Sequence, residues 1–218
     1  MNPNLTYLVF VVDRSGSMSG IAKDMIGGFN TFIKAQRDAK LGECKVFFYQ
    51  FDTDYESVYQ DLNLSDVPEL TDKTYQPCGG TALYDSLGKT ITDIGVRLSA
   101  LPDFDKPSKV LIVTITDGED NSRLAKVEDH YTLDKVKELI KHQSEIYNWD
   151  FTYIGANQDA WKVGCAMGIG GNTKLNYTAT AQGTAVMFDT LSKGAIKFRS
   201  CNSAKFNYDD DQTPSKTP

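Results

Sequence analysis

Unbroken apolar runs alternate along this chain with segments whose apolar residues recur every three or four positions. The first run, "TYLVFVV" at residues 6–12, shows no polar alternation. That continuity predicts a strand buried on both faces. Residues 21–37 then place Ile21, Met25, Ile26, Phe29, Phe32 and Ile33 at helical spacing. "CKVFFYQF", residues 44–51, predicts a second strand. "DTDY" turns the chain into "ESVYQDL", residues 56–62, expected as an antiparallel edge strand paired with it. A polar stretch at 63–77 leads into residues 78–101, a helix entered through Gly79 and Gly80.

The second half repeats the rhythm. Residues 108–120, "SKVLIVTITDGED", are apolar almost until Asp117 and predict a fourth strand. Residues 132–147 form an amphipathic helix with Thr132 as the candidate cap. "WDFTYIGA" (149–156) predicts a fifth strand, residues 159–169 a short helix, and "TKLNYT" (173–178) a sixth strand. Residues 184–198 predict the closing helix. Strands alternating with helices imply an α/β, Rossmann-like doubly wound sheet, mostly parallel, with helices on both faces. The expected strand order is 3-2-1-4-5-6, with the first and fourth strands adjacent. The domain is expected over residues 1–201, followed by a polar, acidic and mobile tail at 202–218.

Three polar interruptions recur at equivalent places. Asp13 ends the first strand, Thr81 follows two glycines at a helix entry, and Asp117 ends the fourth strand. Ligands of open doubly wound sheets bind outside the carboxyl ends of the strands, at the switch in strand order. All three positions can therefore converge there, together with Ser15 and Ser17. The donors are two carboxylates and three hydroxyls. Hard oxygens without imidazole or thiolate suit Mg²⁺ or Mn²⁺, then Ca²⁺, rather than zinc or copper. Ser15 and Ser17 are expected to bind directly, and Asp13, Thr81 and Asp117 directly or through water. Taken singly, each element has an ordinary reading as a cap or a turn. Their order along the chain and shared position favour a metal site.

"DRSGS", "GGT" and "TDGED" resemble the three parts of a metal-ion-dependent adhesion site in a von Willebrand factor type A (vWA) domain. The family pattern of D-x-S-x-S, a Thr and an Asp is matched by Asp13, Ser15, Ser17, Thr81 and Asp117. The resemblance extends over roughly residues 5–200 and is to a short stand-alone domain of bacterial or phage type. It implies a divalent-metal-dependent protein-binding module for adhesion or assembly, whose metal accepts an Asp or Glu carboxylate from a partner protein. Glu119 and Asp120 are expected as solvated acids on the loop rim, with contact to a partner as the alternative.

Composition excludes more than it identifies. The 218 residues are 40% hydrophobic and 24% charged, as in globular proteins. A net charge of −6 argues against nucleic acid and anionic membranes as partners. The N-terminal apolar stretch lacks a basic n-region and is too short for a membrane span, so a cytoplasmic location is expected, or a virion if phage-encoded. Cys44, Cys78, Cys165 and Cys201 contain no CxxC pair and are expected as free thiols. Trp149 and Trp161 are expected in the core, and His130 and His142 at or near the surface.

A Mg²⁺-dependent hydrolase or phosphatase is the competing class. Ser15 stands where an aspartyl-phosphate enzyme would need a second Asp, and neither a GxSxG elbow nor a phosphate-cradling glycine loop occurs. The chain is therefore expected not to be an enzyme. A third reading is a structural subunit of a larger assembly, such as a phage particle, with a stabilising metal.

Overall fold

The structure is a computed structural model that describes residues 1–126, 129–156, 160–201 and 205–208; the side chains of Ala160 and Trp161 lie outside that description. The apolar runs become β1 (Asn2–Asp13), β2 (Cys44–Phe51), β3 (Tyr55–Asn63), β4 (Pro107–Thr116), β5 (Asp150–Ala156) and β6 (Lys174–Tyr177). The periodic segments become α1 (Ala22–Asp38), α2 (Leu83–Ser99), α3 (Leu133–Ile146), α4 (Ala160–Ala166) and α5 (Ala181–Ser200). The sheet order is β3-β2-β1-β4-β5-β6. Only the β2–β3 pair is antiparallel; β1 runs parallel to both neighbours. The chain winds outward from β1 in one direction and then returns to β4 on its other side. The crevice between the β1 and β4 ends is therefore the switch point.

Alternation along β1 feeds two cores. Phe10 and Val12 face α1 and α5, where Phe10 meets Phe29 and Phe32 edge to face at 5.2 Å each. Val9 and Val11 face α2 and α3, against Leu87, Ile91, Val136 and Ile140. Covering both faces explains why the strands carry no polar alternation.

Four local features depart from the sequence pattern. A 3₁₀ segment, Gly16–Ile21, precedes α1, so Ser17 sits on a tight turn rather than in an open loop. Residues 78–82 remain outside α2, which starts at Leu83. Helix α5 begins at Ala181, capped by Thr180, whose hydroxyl accepts from the Gly183 amide. The packed chain also continues beyond residue 201. Phe206 and Tyr208 are each 2% exposed, and the Tyr208 hydroxyl is bonded to Thr152 at 2.7 Å. Aromatic burial on the α5 face draws this segment into the core, whereas a polar tail was expected from residue 202. Residues 209–218 lie outside the described residues.

Candidate metal centre

Three loops meet above the β1–β4 boundary, and main-chain bonds tie the 78–81 loop to each of the other two. The Gly16 amide donates to the Gly79 carbonyl at 3.1 Å, and the Cys78 amide to the Arg14 carbonyl at 2.8 Å. The Asn121 and Ser122 amides both donate to the Thr81 carbonyl, at 3.0 and 3.1 Å. In return, the Thr81 amide donates to the Asn121 side-chain oxygen at 2.8 Å. The two glycines before Thr81 let the loops approach closely. Gly79 has φ +65°, in the left-handed region. A Cβ on Gly80 would lie 2.1 Å from the Ser122 hydroxyl.

Asp13 is fully buried at the end of β1. One carboxylate oxygen accepts from the Ser15 amide at 2.7 Å and the other from the Thr116 hydroxyl at 2.6 Å. Burial pushes its carboxyl up from 3.8 to about 6; those two bonds oppose the shift, and the charge of Asp117 adds to it. An adjacent cation would reverse the burial effect by favouring the charged form.

The hydroxyls of Ser15 and Ser17 are 3.0 Å apart, and Ser17 donates to Asp117 at 2.6 Å. Neighbouring oxygens in an octahedral Mg²⁺ shell, at about 2.1 Å from the ion, stand about 3.0 Å from each other. The two serine hydroxyls therefore stand at the spacing of adjacent ligands, and Asp117 is held against Ser17 by a shorter hydrogen bond. Thr81 is 1% exposed, and its hydroxyl lies 3.3 Å from where a Cβ on Gly118 would stand. Thr81 thus abuts the loop that carries Asp117. The two carboxylates and three hydroxyls anticipated from sequence are brought to one place, and the set fits a hard divalent cation. No cluster of three or more His, Cys, Asp and Glu suited to a metal occurs among the described residues, so the hydroxyls are indispensable to any such site here.

Supporting residues escaped the sequence analysis. Thr116 orients Asp13, Asn121 clamps Thr81, and the Tyr75 hydroxyl donates to the Asp13 carbonyl at 2.5 Å. Arg14 binds Asp52 at 2.9 Å and also Glu56, anchoring the first loop to β2 and β3. A hydroxyl on the neighbouring strand or a distant loop leaves no periodic signal, so only the fold exposes these partners. Glu119 is exposed on the rim. Asp120 is not a solvated acid: it accepts from the Tyr84 amide at the start of α2 and pairs with Arg123 at 2.9 Å. The positive end of a helix explains that inward turn. His130 lies against the buried Asp85 at 2.8 Å, Trp149 is buried, and the Trp161 side chain lies outside the described residues. All four cysteines are free; the Cys78 thiol donates to Asp52, which raises its pKa.

Sheet order, helical layers and the crevice together define the doubly wound fold of vWA domains. Solved structures of the same fold include a von Willebrand factor type A protein from Catenulispora acidiphila, with a TM-score of 0.55 and 16% identity over 88% of this chain and 42% of that one. The PilB minor pilin from Streptococcus sanguinis superposes with a TM-score of 0.61 at 13% identity, over 91% of this chain and 62% of the pilin. Proximal thread matrix protein 1 from the mussel byssus, with a zinc-occupied metal-ion-dependent adhesion site, gives 0.54 at 14% identity, over 88% of this chain and 46% of that one. This chain spans less than two thirds of each of them. At such identities the likeness is one of fold. No family model matches the sequence, and no curated protein does either. No described helix is long and apolar enough to cross a membrane.

Proposed function

We propose that this chain is a divalent-metal-dependent protein-binding module, used in adhesion or assembly, and not an enzyme. The observation that carries the reading is the chain of contacts from the Ser15 hydroxyl through Ser17 to Asp117, with the buried Asp13 and Thr81 beside it. A bound Mg²⁺ or Mn²⁺ would supply the positive charge that attracts an external carboxylate. Ser15, Ser17 and Thr81 contribute neutral oxygens and leave that charge largely in place. Asp13, held between Thr116 and the Ser15 amide, supplies a fixed negative charge from below. Asp117 sits at the half-buried mouth, where an Asp or Glu of a partner protein would join it. Pilin, pilus-adhesin and matrix proteins among the solved structures of this fold support a role in protein assemblies. The free thiols suit a reducing compartment, in line with a cytoplasmic location.

Hydrolysis finds less support. The Ser15 hydroxyl is bonded to that of Ser17, Ser17 donates to Asp117, and the His130 ring is engaged by Asp85, so no imidazole base serves either serine.

Calorimetry with Mg²⁺, Mn²⁺ and Zn²⁺, followed by capture of arrayed peptides bearing Asp or Glu, tests the reading. Wild type should bind Mg²⁺ or Mn²⁺ and capture acidic peptides, and EDTA should abolish capture. Asp13→Ala and Asp117→Ala should lose both while remaining folded. Capture that persists in EDTA, or in Asp117→Ala, would overturn it.

A further inference from the structure

Tyr177 closes β6 opposite Ala156, in the row of residues just beyond the Thr116–Gly155 pair. Its ring lies on the α1 and α5 face, in one cluster with Val12, Ile115, Leu175 and Tyr75. Asp117 follows β4 by one position, and the charges of Asp117 and Asp13 both act on the Tyr177 phenol, which places Tyr177 near this end of the sheet. The residue is 7% exposed, and its hydroxyl has no hydrogen-bond partner among the described residues.

Other tyrosines of the same cluster have partners. Tyr75, in the same cluster, donates to the Asp13 carbonyl, and Tyr208 is paired with Thr152. A buried hydroxyl without a partner is unfavourable, and native structures seldom keep one without a role or a bound water. Burial raises the pKa of the Tyr177 phenol well above 10.0, and the charges of Asp117 and then Asp13 act in the same direction. The phenol is thus a retained donor within the field of both carboxylates.

We propose that Tyr177 is a positioning residue of the candidate metal centre, its hydroxyl donating through one bridging water to Asp117 and holding that carboxylate toward the ion. The inference rests on the metal-binding reading above. Side chains that orient ligands in this way contribute to metal affinity without touching the metal. In the ion-free protein, one Asp117 carboxylate oxygen accepts from the Ser17 hydroxyl instead.

The test compares Mg²⁺ titrations of wild type, Tyr177→Phe, Asp117→Ala and Tyr208→Phe, each with a melting curve in EDTA. Tyr177→Phe should weaken Mg²⁺ binding by about tenfold. Its ion-free melting temperature should stay the same or rise, because the substitution removes only an unsatisfied group. Tyr208→Phe, which breaks a satisfied bond away from the site, should melt earlier and bind Mg²⁺ as wild type does. Affinity unchanged in Tyr177→Phe but lost in Asp117→Ala would overturn this inference alone. Absence of Mg²⁺ binding by wild type would overturn the metal reading and this inference with it.

Discussion

Ser17 and Asp117, separated by 100 positions in the chain, are joined by a 2.6 Å hydrogen bond in which the serine donates. In that arrangement the hydroxyl proton occupies the carboxylate, while the Ser17 oxygen still touches Ser15. A cation binding there would replace the proton as the partner of both oxygens. Ser17 is exposed, so its removal leaves the core intact. Ser17→Ala is therefore expected to keep its fold and lose Mg²⁺ affinity by about tenfold or more, since even groups that merely support a ligand contribute that much. Calorimetry and circular dichroism on the same sample would check both halves.

Asp13 makes ion-free stability depend on pH. Its carboxyl is raised to about 6 in the fold, against 3.8 ordinarily. Below about 4 it is protonated in both states and carries no penalty. As pH rises toward 6 the unfolded chain releases the proton first, and the folded state loses stability, by up to about 3 kcal/mol. Above 6 the penalty is complete and constant. In EDTA at pH 8, Asp13→Asn should thus be more stable than wild type, and the difference should shrink toward pH 4. Urea unfolding at several pH values measures it; an Asp13→Asn protein less stable than wild type at pH 8 would contradict the argument.

Asn121 contributes to the site without offering a ligand. Its side-chain oxygen accepts from the Thr81 amide, and its own amide donates to the Thr81 carbonyl. Asn121→Ala should cost about 1 kcal/mol of stability, the net value of one hydrogen bond. Mg²⁺ affinity should fall by about tenfold. Melting curves and titrations run in parallel would separate the two effects.

The largest expected loss of stability is at Asp85. This fully buried acid on α2 accepts from the Leu124 amide at 3.0 Å, the Tyr131 amide at 2.7 Å and the His130 ring at 2.8 Å. It therefore ties down both ends of the loop that follows Asp117. Asp85→Ala leaves two buried amides without an acceptor and should destabilise by about 3 kcal/mol or more. Chemical denaturation, monitored through Trp149, would report it.

The sequence alone determined the elements and their order, for a plain reason. A sheet covered on both faces needs continuous apolar strands, and helices that cover it need periodic apolar stripes, so burial writes itself into local pattern. It also singled out five candidate oxygen donors, because Asp13, Ser15, Ser17, Thr81 and Asp117 break such a pattern near the end of a strand or the start of a helix. What only the tertiary structure decided are the contacts across loops. Thr116 reads as one more strand residue until β1 and β4 lie side by side, when its hydroxyl meets Asp13. Asp120 reads as a surface acid until the start of α2 turns it inward. Phe206 and Tyr208 lie in a polar tail by composition, yet the α5 face buries them. Tyr177 is one tyrosine among eleven until its hydroxyl, without a partner among the described residues, is found on the α1 and α5 face of the sheet. Local pattern records whether a side chain is buried; its hydrogen-bond partner lies a hundred residues away and is chosen by topology.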